Sequence, residues 1–280
     1  MAMTKRERVM KLRRSVPLLA LVAMIAAMAF APAAQSATPA PGYERFAGCP
    51  KVPDEYPGPI LACIRSVITG GHFQMGSKDV PITNPITLSG GANEETGAIV
   101  ANSKGGLTPV KQKVPGGVVG LTGLTWLLEL LGSEALTLYA VTEIAGQPFI
   151  NTDLTLPIKV HLVNSVLGNN CYVGSVSNPI VLKLTTGTTS PPPPNLPIKG
   201  AVGLPEYNEA TGIIKQKLTY VDNSFAAPGA TGCVLTLFGF IPISINGLVN
   251  TQSGLPSAAG RNETVQVTET ELAFPQFVYP

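Results

Sequence analysis

Apolar and polar positions alternate in the rhythm of half-buried strands over residues 158–163, 180–184, 213–221, 234–245 and 264–274, and less regularly over 81–88. Glycine and proline punctuate the gaps between these runs. The pattern predicts a mainly β architecture, a β-sandwich or a barrel-like closure. One stretch breaks the rhythm. Leu124, Leu127, Leu128 and Leu131 recur at helical spacing, with Trp126, Glu129 and Leu130 on the remaining faces. A second run over 134–144 also reads as helix, so a short helical insertion is expected over 120–146. Glu129, Glu134 and Glu143 interrupt it, which argues against a membrane span.

Short motifs recur in the same order in two parts of the chain. Gly76-Ser77 followed by Pro81-Ile82 is echoed by Gly174-Ser175 followed by Pro179-Ile180. Next, Asn93-Glu94-Glu95-Thr96-Gly97 is echoed by Asn208-Glu209-Ala210-Thr211-Gly212, and Lys111-Gln112-Lys113 by Lys215-Gln216-Lys217. This collinearity predicts an internal duplication: a first β half over 66–164 carrying the helical insertion, and a second over 165–280. Pro191 to Pro194 stiffen a loop over 185–197 inside the second half.

The beginning of the chain follows a different rule. Lys5, Arg6, Arg8, Lys11, Arg13 and Arg14 precede a charge-free run over 17–30, and small residues close the segment. That order predicts a secretory signal over 1–36. Its apolar run falls short of the roughly 20 residues that a spanning helix needs. Removing 6 basic and 1 acidic residue from the 19 and 17 of the whole chain leaves 13 against 16, a net charge of −3. The remainder has no basic footprint for nucleic acid.

Export changes the meaning of the cysteines. Cys49, Cys63, Cys171 and Cys233 all lie beyond residue 36, an even number in an oxidising compartment, which predicts two disulfides. Of three possible connectivities, Cys49–Cys63 with Cys171–Cys233 is favoured, because the first pair closes a short proline-rich loop in a stapled segment over 37–65. Zinc does not fit, since no C-x-x-C pair exists.

Candidate chemistry is sparse. No G-x-S-x-G elbow occurs, and a Ser-His-acid triad would need His72 or His161. Glu94-Glu95 and Glu206/Glu209 read as solvated loop acids rather than a glycosidase pair. No calcium loop, phosphate-cradling loop or other cofactor motif is present. The expected role is therefore non-catalytic extracellular binding or structural work, at the cell envelope or in the medium. The sharper alternative is an apolar small molecule or lipid held by Leu124, Trp126, Leu127, Leu128 and Leu131; a secreted hydrolase is the third reading.

Two stretches, GGHFQMGSKDVPITNPITLSGG and GNNCYVGSVSNPIVLKLTTGTTSPPPPN, resemble a group of exported proteins from high-GC Gram-positive (actinobacterial) bacteria. The resemblance spans most of the chain beyond residue 36. It implies compartment and bacterial origin and brings no activity, ligand or site residue.

Overall fold

The computed structural model describes residues 37–237 and 241–280; the expected export segment lies outside them. The chain is mainly β, as the alternation predicts. A first sheet contains β1 (Ile60–Met75), β2 (Lys78–Pro81), β3 (Ile86–Asn93), β4 (Ile99–Val100) and β5 (Gly106–Leu107), together with β12 (Ala201–Val202), β13 (Glu206–Asn208), β14 (Ile213–Asp222) and β18 (Glu263–Ala273). Its spine runs β12-β14-β18-β1-β3-β4. A second sheet, ordered β15-β10-β9-β7-β6, contains β6 (Lys111–Lys113), β7 (Tyr139–Ile144), β8 (Phe149–Ile150), β9 (Leu154–Val163), β10 (Tyr172–Val173), β11 (Ile180–Leu184) and β15 (Ala230–Thr231). A separate hairpin pairs β16 (Val234–Leu237) with β17 (Ile241–Ser244). Neither sheet closes on itself, so the sandwich-like arrangement stands and the barrel does not.

The two sheets share one core. Leu154, Leu156, Ile158, Val160 and Leu162 turn inward from β9 at every second residue, the period of a strand. They pack with Leu182 of β11 and with Leu88 and Ile99 of the first sheet. Burying such side chains contributes roughly 1.5–3 kcal/mol each.

Three sequence expectations need correction. The run over 81–88 is not one strand: Pro81 ends β2, and β3 starts only at Ile86. Between them the Thr83 and Asn84 amides donate to the Gln112 side chain instead of to a ladder (2.9 and 3.0 Å). The helical insertion is shorter than 120–146. It consists of α1 (Gly117–Thr122) and α2 (Trp126–Ala135), broken at Gly132, after which 139–144 is strand β7. β-Branched Val141, Thr142 and Ile144 suit a strand paired on both sides, and β6 and β9 supply those partners. Finally, the two expected halves interleave. Residues 66–164 and 165–280 each give strands to both sheets, a boundary at 65/66 would cut β1, and residues from Ser36 onward form a single unit.

The repeated Asn-Glu-x-Thr-Gly motif does form one turn twice. Asn93 accepts from the Glu95 and Thr96 amides (3.0 and 2.8 Å), and Asn208 from those of Ala210 and Thr211 (3.0 and 3.2 Å). Gly97 and Gly212 follow with φ +69° and +63°, the left-handed conformation that glycine adopts without cost to a side chain. The Lys-Gln-Lys motifs share strand conformation but sit in different sheets, on β6 and β14.

Disulfides Cys49–Cys63 and Cys171–Cys233 are formed. Together they indicate an oxidising, extracellular setting. The first anchors the stapled segment to β1, where Phe46, Cys49 and Cys63 bury against Ile213, Ala273 and Val278 of α3 (Pro275–Val278). This small second core lies on the side of the first sheet away from the sandwich interior. Among the described residues no helix is long and apolar enough to cross a membrane.

Candidate functional site

The apolar residues singled out by spacing divide between two environments. Leu127 is buried at 1% exposure and Leu124 packs partly buried against the core. Trp126, Leu128 and Leu131 stand 44%, 44% and 42% exposed, and Leu130 reaches 66%. The helical stripe therefore does not go wholly inward. α2 seats one leucine firmly and holds four large apolar side chains in water. Such concentrated exposure is uncommon on a soluble surface and marks a binding face more often than a structural one.

Beside α2 lies a groove of about 630 Å³. Leu128 and Leu136 line it with Val119 of α1, Val114, Pro115 and Pro81; Lys113, Thr83, Ser133 and Thr137 supply the polar groups. The groove's position follows from local sequence. Gly116 and Gly123 flank α1 in left-handed conformations, so the chain turns sharply at both ends. Lys78 Nζ donates to the Gly120 carbonyl at 2.7 Å, and the Val118 amide donates to the Leu136 carbonyl at 2.9 Å. These bonds fix α1 against β2 and against the chain leaving α2.

Interior voids are much smaller. One of about 60 Å³ lies between the sheets, lined by Phe73, Met75, Val80, Leu107 and Ile158 among others, with Gln112, Thr142 and Gln266 as its polar contacts. Another of about 30 Å³ is lined by Leu121, Val160, Leu255 and Ser253, whose buried hydroxyl has no hydrogen-bond partner. Both fall well below the roughly 300 Å³ of a small-molecule pocket. Val114 lines both the smaller void and the surface groove.

The histidines do not assemble a hydrolytic site. His72 Nδ1 lies 2.9 Å from Asp79 Oδ1 and Nε2 lies 3.4 Å from Glu263 Oε1, so both ring nitrogens face carboxylates. His161 Nε2 lies 3.1 Å from the Asn169 carbonyl and Nδ1 3.6 Å from Glu143, while its ring stacks on Tyr172 at 4.3 Å. A general base for a serine must face the hydroxyl, and neither ring does. Glu94, Glu95, Glu206 and Glu209 are all exposed, the solvated arrangement expected of them.

Sequence reasoning missed one charged constellation. Register places Arg65 opposite Glu271 and Lys215 opposite Glu271, so β1, β18 and β14 set the three side chains in one row. Arg45 joins from the stapled segment. Glu271 receives Arg45 at 2.8 Å, Lys215 at 3.1 Å and Arg65 at 3.4 Å. Burial pushes the Glu271 carboxyl up, but the hydrogen bonds from Lys215 and Arg45 and their charges outweigh it and hold it below the usual carboxylate range. Alternation along β14 and β18 carried a signal for Lys215 and Glu271; nothing in sequence brings Arg45 to them.

No protein-family profile, curated protein or solved structure matches this chain.

Proposed function

We propose that this chain is an exported, non-catalytic binding protein that holds an acidic amphiphile, of fatty-acid type, in the groove beside α2. The observation that carries the reading is the groove itself. Its volume of about 630 Å³ falls in the range of small-molecule sites, roughly 300–1,000 Å³. An acyl chain would lie against Val119, Leu128, Leu136 and the two prolines, replacing water on apolar surface. Exposed Lys113 at the rim offers a cation for the acid head.

Export rests on the basic, apolar, small-residue order of residues 1–36, and the resemblance to exported actinobacterial proteins agrees with it. The disulfides support the same compartment. The non-catalytic reading rests on the histidines, whose rings face carboxylates and a carbonyl.

Titration with fatty acids of increasing chain length, followed by Trp126 emission and calorimetry, tests the proposal. Saturable binding that tightens with chain length, and is lost in Leu128→Asp, is expected. Absence of saturation at every chain length would sink it. Lys113→Glu should weaken acids and leave the corresponding alcohols unaffected; equal weakening of both would remove Lys113 from the head-group role.

A further inference from the structure

The outward side of the first sheet carries a groove of about 690 Å³, separate in its lining from the one beside α2. Arg65, Lys215 and Glu271 line it, with Lys217 and Glu269 in the next cross-strand row and Glu206 at the edge. Three cations converge on the single Glu271 carboxylate within 3.4 Å. Glu206 stands opposite Lys215 across β13 and β14 and lines the same groove, so three cations face two carboxylates, a local surplus of one. Glu269 lies 3.7 Å from Lys217 and answers that cation rather than the triad.

The hydrogen-bond inventory points the same way. A guanidinium carries five N–H donors in a fixed fork, and an ammonium carries three. Glu271 takes one contact from each of Arg45, Arg65 and Lys215. The side chains of Arg45 and Lys215 are 42% and 52% exposed, so both keep donors open to solvent, and Lys215 also lines the groove. Glu271 itself is only 10% exposed and sits beneath them. It holds the three heads together from below, an arrangement that preorganises donors toward an incoming anion.

We propose that Arg45, Arg65 and Lys215, gathered by Glu271, form a binding site for a phosphate group. A phosphate monoester carries about −1.5 to −2 charges at neutral pH, the sign that the surplus at these three heads favours. Its tetrahedral oxygens can accept from donors converging from several directions, and arginine forks favour such oxyanions.

The test is calorimetric titration of the folded, disulfide-bonded protein with inorganic phosphate at fixed ionic strength. Saturable binding is expected, with loss of at least tenfold in affinity in Lys215→Met and in Arg45→Gln, whose exposed heads can be removed without opening the core. Glu271→Gln is the decisive variant. It keeps the shape, raises the local surplus from one to two, and should tighten phosphate on the order of tenfold. If Glu271→Gln does not fold by circular dichroism, Glu206→Gln supplies the same test by removing the exposed carboxylate opposite Lys215. No saturation in the wild type, undiminished binding in Lys215→Met, or no tightening in the folded glutamine variant would each overturn the site. A polyphosphate arm separates the sources. Tighter binding per phosphate assigns the ligand to a polymer running past Lys217, and equal binding assigns it to an isolated phosphate group.

Discussion

Tyr279 donates its phenolic hydrogen to the Cys49 carbonyl over 2.8 Å, and so joins the stretch following α3 to the disulfide-stapled segment. Burial pushes the phenol up to about 12, with the nearby Glu55 charge adding to it. A raised folded value means that the neutral phenol is the form the fold favours. Its contribution is whole below the ordinary tyrosine value of about 10 and is lost as pH rises through about 12. Tyr279→Phe should cost roughly 0.5–1.5 kcal/mol at neutral pH. A titration of phenolate absorbance should lose its latest-ionising tyrosine in that variant.

The acid limb of stability should come from Glu55 and Glu271. Burial raises Glu55, but amide donors from Lys51 and Ala37 and the Asn102 side chain more than reverse this, so its carboxyl lies below the usual range. Glu271 is lowered through Lys215 and Arg45 against its own burial. For depressed carboxyls the stability is present above the ordinary value of about 4.3 and is lost as pH falls through the lower folded values. Urea unfolding midpoints should therefore drop below about pH 4.3. Glu55→Gln should lower the neutral midpoint and flatten that drop; an unchanged acid slope would contradict the assignment.

The two disulfides should not count equally. Cys171–Cys233 closes a sequence separation of 62 residues and Cys49–Cys63 one of 14. Loop-closure entropy then favours the longer bridge by about 1.3 kcal/mol. The double serine variant at 171 and 233 should unfold at a lower urea concentration than that at 49 and 63, and the reverse order would point to native-state contacts around the short loop.

Some of this was legible in sequence, and particular residues show where legibility ended. The alternation over 158–163 put Ile158, Val160 and Leu162 on one face of β9, and all three are buried, because each inward position there is aliphatic. On β18 the same logic misleads. Val265 and Val267 alternate as core residues should, yet Val267 is exposed while Thr264, Gln266, Thr268 and Thr270 are buried. Their polar groups are satisfied locally, Thr264 by the His72 carbonyl, Gln266 by Thr264, and Thr270 by Ser66. Register with β1 and β14 outweighs side-chain polarity there, and register is a long-range property. The turns at Asn93 and Asn208 were readable because they are made within five residues. The convergence of Arg45 with Arg65, Lys215 and Glu271 was not, since it needs four segments distant in sequence.

The helix α2 offers the most direct separation of packing from function. Leu127 is enclosed by the core, so Leu127→Ala should leave a cavity and cost about 2–5 kcal/mol. Leu130, two-thirds exposed, has little to lose, and Leu130→Ala should stay within about 0.5 kcal/mol of the parent. Leu128 tests the boundary between them. It lines the groove yet is largely exposed, so Leu128→Ala should leave the unfolding midpoint nearly unchanged while weakening an acyl ligand severalfold. If Leu128→Ala instead destabilised the fold as Leu127→Ala does, the side chain would belong to the core and the groove would lose its apolar wall. Equal ligand binding in the parent and Leu128→Ala would show that the exposed face of α2 answers to something other than an acyl chain.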